Sequence, residues 1–169
     1  IVGRSIPVPR GRRLLPNMRL TELFVPETVV TDLPASDKDS VLASIVADLN
    51  AKGLLADAEA TLRDVIAREE VMSTGVGHGV AIPHAYTPGV DRLVAGFYRV
   101  RPAIDFGAPD NLAVDLIFVI LGPRERRREH IRILAKISRL LGNGDFRADL
   151  RRAAGVEDVM AVFRRFGDR

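Results

Sequence analysis

The chain alternates between stretches whose apolar residues recur every three to four positions and stretches that are apolar almost without interruption. Val41, Ile45, Val46 and Leu49 follow helical spacing, and Ser36 with Asp39 three positions on reads as an N-cap with an acidic third residue. A helix is therefore predicted over Asp37–Lys52, closed by Gly53. A second, over Asp57–Glu70, carries Leu62, Val65 and Ile66 and ends in the polar run Arg68-Glu69-Glu70. Leu93–Val100 and Ala113–Leu121 are rich in Val, Ile, Leu and Phe, as strands are. The second of these, AVDLIFVIL, lacks the alternation of a half-exposed strand, so it is expected at the centre of a sheet covered on both faces. From Pro123 the pattern turns helical again, with Ile131, Leu134, Ile137, Leu140 and Leu141 on one face, arginines on the other and Gly142 at the end. Two shorter helices, Phe146–Ala153 and Val156–Phe166, follow with Gly155 between them. Helices before, between and after strands make this an α/β sandwich.

Composition narrows the class. The chain has 169 residues, enough for one domain with a core of its own, and no cysteine, which excludes a disulfide scaffold and a thiolate metal site. No apolar run approaches eighteen residues, so a soluble, cytoplasmic protein is expected and membrane insertion is not. Lys and Arg number 25 against 22 Asp and Glu, but residues 1–17 hold Arg4, Arg10, Arg12 and Arg13 and no acid. The remainder is close to neutral, which weakens any nucleic-acid reading. Residues 1–17 also contain three prolines and two glycines, and are expected to be a flexible basic extension, either added sequence or an arm of a longer chain. The domain proper is placed at 18–169, with Met18 as a natural start.

The segment Ser73–Ala85, STGVGHGVAIPHA, is where chemistry is concentrated. Its three glycines allow backbone angles closed to other residues, and a short strand is expected at Val80–Ile82. The chain has three histidines, His78, His84 and His130, two of them in this segment. Pro83 fixes the chain direction before His84, and the upstream glycines would let amides converge as an anion nest beside its imidazole. An imidazole accepts a phosphoryl group through a nitrogen lone pair while its other nitrogen donates a hydrogen that sets the tautomer. If Nε2 is the nucleophile, Nδ1 must donate to a nearby acceptor such as a backbone carbonyl. The charge spread over the transferred group calls for a guanidinium or second imidazole, and Arg68 and His130 are the candidates. Taken singly, Arg68 is a helix-end charge and His130 a residue at the edge of the core.

The run from Arg68 through REEVMSTGVGHGVAIPHA resembles the phosphorylation-site signature of fructose/mannitol-type enzyme IIA domains of the bacterial phosphotransferase system, a family that includes the nitrogen-regulatory enzyme IIA proteins. RLTELFVPETVV, AIDFGAPDNLAVDLIFVIL and EHIRILAKISRLL extend the likeness over about Met18 to Phe166. The resemblance implies a mixed β-sheet of about five strands sandwiched between helices. It implies that His84 is phosphorylated at Nε2 by the phosphohistidine of HPr, with Arg68 as the active-site arginine and His130 as the neighbouring second histidine. Ser73 and Thr74 fall where small hydroxyl residues line the phosphate site, and His78 at a variable position, often asparagine, to which no chemistry is assigned. No cofactor is implied.

Other readings fit less well. The loop lacks the Lys-Ser/Thr ending of a P-loop, no HExxH or related spacing supports zinc, and the run Arg124–Arg128 at the start of an amphipathic helix reads as a solvated face rather than a nucleic-acid site. Two functions share the histidine site. One is a regulatory protein whose phosphorylation at His84 changes its target proteins, which the stand-alone length favours; the other is a sugar-transport component that hands phosphate to a cysteine of an enzyme IIB partner. A degenerate domain that binds without being phosphorylated is disfavoured, because His84, Arg68 and His130 are all present.

Overall fold

The computed structural model describes residues 18–167, and the expectation for residues 1–17 lies outside them. A one-turn helix α1 (Leu20–Leu23) and a 3-10 turn lead into β1 (Val29–Pro34). Helices α2 (Lys38–Ala51) and α3 (Ala58–Val71) follow, then β2 (Gly75–Gly77), β3 (Val80–Ala81) and β4 (His84–Tyr86). Two long strands, β5 (Val94–Ile104) and β6 (Val114–Gly122), precede α4 (Arg127–Leu141), α5 (Gly144–Arg152) and α6 (Val156–Gly167). The sheet is mixed, as expected, with six strands in the order β1-β5-β6-β3-β2 and β4 also on β6. β1 was not foreseen, although Thr28-Val29-Val30-Thr31 is a β-branched run that favours a strand.

Strand β6 is central: β5 pairs with it antiparallel on one side, and β3 and β4 pair with it parallel on the other. Alternation of its side chains explains the unbroken apolar sequence. Leu116, Phe118 and Ile120 pack with Phe24, Ile133, Ile137, Phe146 and Phe163 in the layer of α1, α4, α5 and α6. Ile117, Val119 and Leu121 pack with Val41, Ile45, Leu49 and Val65 of α2 and α3. Ile82-Pro83 interrupts what would be one strand along β6: the Ile82 amide turns to Thr74 O at 2.9 Å, and Pro83, without an N–H, offers its carbonyl to Ile120 N at 3.0 Å. The kink makes β4 a separate short strand with His84 at its start.

Two local readings change. The cap of α2 is Asp37, not Ser36: its carboxylate accepts the Ser40 amide at 2.8 Å, the Ser40 hydroxyl accepts the Asp37 amide at 3.2 Å, and Ser36 donates to Asp37. A carboxylate at the positive end of the helix has the advantage over a hydroxyl one residue earlier. On α4 the buried line is His130, Ile133, Ile137 and Leu141, with Leu134 and Leu140 partly buried and Ile131 49% exposed. His130 takes the place that apolar periodicity assigned to its neighbour.

Tertiary contacts also hold α5. Arg99 on β5 is buried and donates through Nη1 to the carbonyls of Leu150, Arg151 and Ala153 at 3.0, 3.2 and 2.7 Å, and through Nε to Thr31 O. A guanidinium thus satisfies the carbonyls at the end of a helix, which otherwise lack partners.

Candidate active site

The chain from β3 through β4 runs parallel along one side of β6, and α3 packs against β4. Thr61, Val65 and Glu69 recur every four residues along the buried side of α3, so the last of them carries a carboxylate inward. Glu69 accepts the Thr74 amide at 3.0 Å, the Thr74 hydroxyl at 2.5 Å and the Lys38 ammonium at 3.0 Å. In the sequence it lies inside the polar run Arg68-Glu69-Glu70, and its spacing from Thr61 and Val65 is the signal that turns it inward. The Ser73 hydroxyl donates to Phe106 O at 2.5 Å and accepts the Gly75 amide. Both hydroxyl hydrogens expected at a phosphate are therefore already directed to protein acceptors, and the two residues shape the loop.

The expected amide nest differs as well. Gly77, His78 and Gly79 all have positive φ, at 93°, 56° and 76°, and the His78 amide points to Asp110 Oδ2 at 2.7 Å. The turn thus holds an internal carboxylate. The two amides of His78 and Leu112, in that order, hold the Asp110 carboxyl below its ordinary proton affinity. His78 projects to solvent in a left-handed conformation that His and Asn tolerate better than most residues. Its carbonyl is bound by Arg151, which also forks onto Asp115. Conformation accounts for this position.

His84 is half-buried, and its Nδ1 lies 2.8 Å from Ile82 O. A carbonyl only accepts, so Nδ1 carries the hydrogen and the lone pair of the neutral ring is on Nε2. Burial, and then the positive charge of Arg68, lower the ring's proton affinity, while the Ile82 carbonyl and Glu69 act in the other direction. The net shift is downward, so the ring is neutral at pH 7 with Nε2 available. Arg68, partly exposed at the end of α3, donates from Nη1 to Met72 O at 3.1 Å.

His130 reaches the site from α4. Its ring centroid is 5.9 Å from that of His84 and 4.6 Å from that of Tyr86. The side chain is fully buried, and neither ring nitrogen has a hydrogen-bond partner among the described residues. Burial, with a smaller contribution from His84, pushes its pKa down to about 4. His84 and His130 thus meet, with Tyr86 against the second ring, and Arg68 and Glu69 act on His84 through their charges. Among the described residues no group of three or more His, Asp or Glu side chains is arranged to hold a metal, and no helix is long and apolar enough to cross a membrane.

One end of the sheet thus carries a histidine whose Nε2 is unbonded, a facing histidine and a helix-end arginine whose charge acts on the first ring. Residues 22–166 match the family described as phosphoenolpyruvate-dependent sugar phosphotransferase system, EIIA 2, and the chain belongs to that family. It is similar to a nitrogen regulatory protein of Pseudomonas aeruginosa, 35% identical over 146 residues that cover 86% of this chain and 94% of that one. It is also similar to a fructose-specific EIIA component of Haloferax volcanii, 33% identical over 80% of this chain and 90% of that one. The fold matches the crystal structure of nitrogen regulatory protein IIA-Ntr from Neisseria meningitidis, with a TM-score of 0.78, 30% identity and coverage of 85% of this chain and 98% of that one. The protein is a phosphotransferase-system enzyme IIA domain.

Proposed function

We propose that Nε2 of His84 receives a phosphoryl group from the phosphohistidine of an HPr-type carrier in the cytoplasm and relays it or signals with it. The bond from phosphorus to the donor nitrogen breaks with its electron pair left on the donor, and the Nε2 lone pair forms the new bond. The hydrogen bond from His84 Nδ1 to Ile82 O carries this reading, because it leaves Nε2 as the nucleophile. Arg68 supplies charge and a planar fork of donors to the transferred oxygens, and His130 supplies one neutral ring. Ser73 and Thr74 act by holding the loop.

The regulatory role, in which the phosphorylation state of His84 selects a target protein, is favoured by likeness to nitrogen regulatory proteins. Chain length does not separate it from sugar transport, since the fructose-specific relative is covered over nearly its whole length. Delivery of phosphate to an enzyme IIB cysteine is therefore the second reading. Incubation with enzyme I, HPr and phosphoenolpyruvate should add one acid-labile phosphate, and His84→Ala should abolish it. Labelling that persists in His84→Ala removes His84 from the mechanism. Transfer onward to a fructose- or mannitol-type IIB protein would favour sugar uptake, and its failure with an intact phosphoprotein would favour regulation.

A further inference from the structure

In the parallel β4–β6 pair Tyr86 lies beside Gly122. Paired residues share one face of the sheet, and Gly122 contributes no side chain to it. Leu93 Cδ2 and the His130 ring share that space: they lie 2.7 Å and, at Nδ1, 3.2 Å from the point where a Gly122 Cβ would stand, and the Tyr86 ring, tilted 43° to the imidazole, lies against it. His84, two residues before Tyr86, presents its ring on the same face of β4. No hydrogen bond among the described residues orients His130, so packing alone decides where its nitrogens point.

We propose that Tyr86 and Gly122 are positioning residues, the two sides of a seat that sets how His130 meets the phosphoryl group on His84. The inference rests on the phosphoryl-transfer reading of the site. Tyr86 covers one side of the imidazole and keeps water from it, and the missing side chain at residue 122 lets the ring approach the strand. Gly122→Ala presses on the ring, which must give by a few tenths of an ångström, and Tyr86→Leu removes the surface it leans on and its cover from water; displacements of about 1 Å at such sites slow reactions by up to a hundredfold.

The test compares Tyr86→Leu, Tyr86→Phe and Gly122→Ala by NMR of the His130 ring nitrogens and by rapid-quench transfer from phospho-HPr. In the unphosphorylated protein, Tyr86→Leu and Gly122→Ala should each move the His130 resonances. Tyr86→Leu, by admitting water, should raise the ring's titration midpoint from about 4 toward the ordinary imidazole value, with His84 and residue 86 the groups facing it from β4. Both variants should lower kcat about tenfold or more with KM for phospho-HPr little changed. Tyr86→Phe keeps the ring face and should restore both the spectrum and the rate. Parent-like His130 resonances and kcat in Tyr86→Leu overturn the seat. Should Gly122→Ala fail to fold, the Leu and Phe pair at residue 86 decides alone. A parent protein that takes no phosphate overturns the transfer reading, while the His130 spectra still judge the seat.

Discussion

Protonation of His130 should set a measurable part of the protein's acid sensitivity. In the folded chain its pKa is about 4, because a fully buried ring without hydrogen-bond partners among the described residues gains nothing from becoming charged. In the unfolded chain it returns to 6.5. Between these values the unfolded state binds more protons than the folded one, so stability falls as pH drops from about 6.5 to about 4 and is unaffected by this group above that window. At about 1.36 kcal/mol per pH unit, acidification from pH 7 to 4.5 should remove roughly 2 to 3 kcal/mol through this residue. For a domain of this size that is roughly 5 to 10 °C in Tm. The assay is urea unfolding of the parent and His130→Leu at pH 7, 6, 5 and 4.5. Groups other than His130 are common to both proteins, so the difference between the two pH slopes isolates His130, and the variant should lose roughly 2 to 3 kcal/mol less than the parent. Parallel loss in the two proteins, within a few tenths of a kcal/mol, would refute the reasoning.

Further outcomes follow from other contacts. Arg68→Ala should slow phosphoryl transfer from phospho-HPr roughly a hundred- to a thousandfold, about 2.7 to 4 kcal/mol as for a lost oxyanion donor, and more than His130→Ala does; pre-steady-state labelling with folding checked by circular dichroism measures both. Arg99→Met should destabilise the fold by roughly 3 kcal/mol in urea, since the carbonyls of Leu150, Arg151 and Ala153 lose a charged donor in a buried place. Glu69→Gln keeps the shape but removes the negative partner of Lys38, a side chain that also lies over the Phe106 ring. It should lower the His84 pKa further, because Glu69 opposes the downward shift, and NMR titration of His84 reads the change.

Much of the architecture was legible because period and burial coincide. AVDLIFVIL reads as a central strand, and it lies in the sheet with residues of alternating parity facing two helical layers. The positions of α2, α3, α5 and α6 agree with their apolar spacing and with the closing Gly53, whose φ of 71° only glycine adopts freely. Residue types and a long signature single out His84, Arg68 and His130 as candidates, and the contact of His84 Nδ1 with Ile82 O is the one expected if Nε2 is the nucleophile. Other features depend on residues distant in the chain and leave no local pattern. That the glycine turn binds Asp110 is a meeting of residues 32 apart, and that Arg99 closes α5 joins residues more than 50 apart. His130 is buried and Ile131 exposed because His130 falls on the line of Ile133, Ile137 and Leu141 that packs into the core, and only that packing selects this line over the one through Ile131. The space that admits its ring exists only because β4 and β6 pair in a register that sets Tyr86 beside Gly122. Sequence determined which residues could do the chemistry, and tertiary packing decided how they face one another, since orientation depends on neighbours that the chain brings together only when folded.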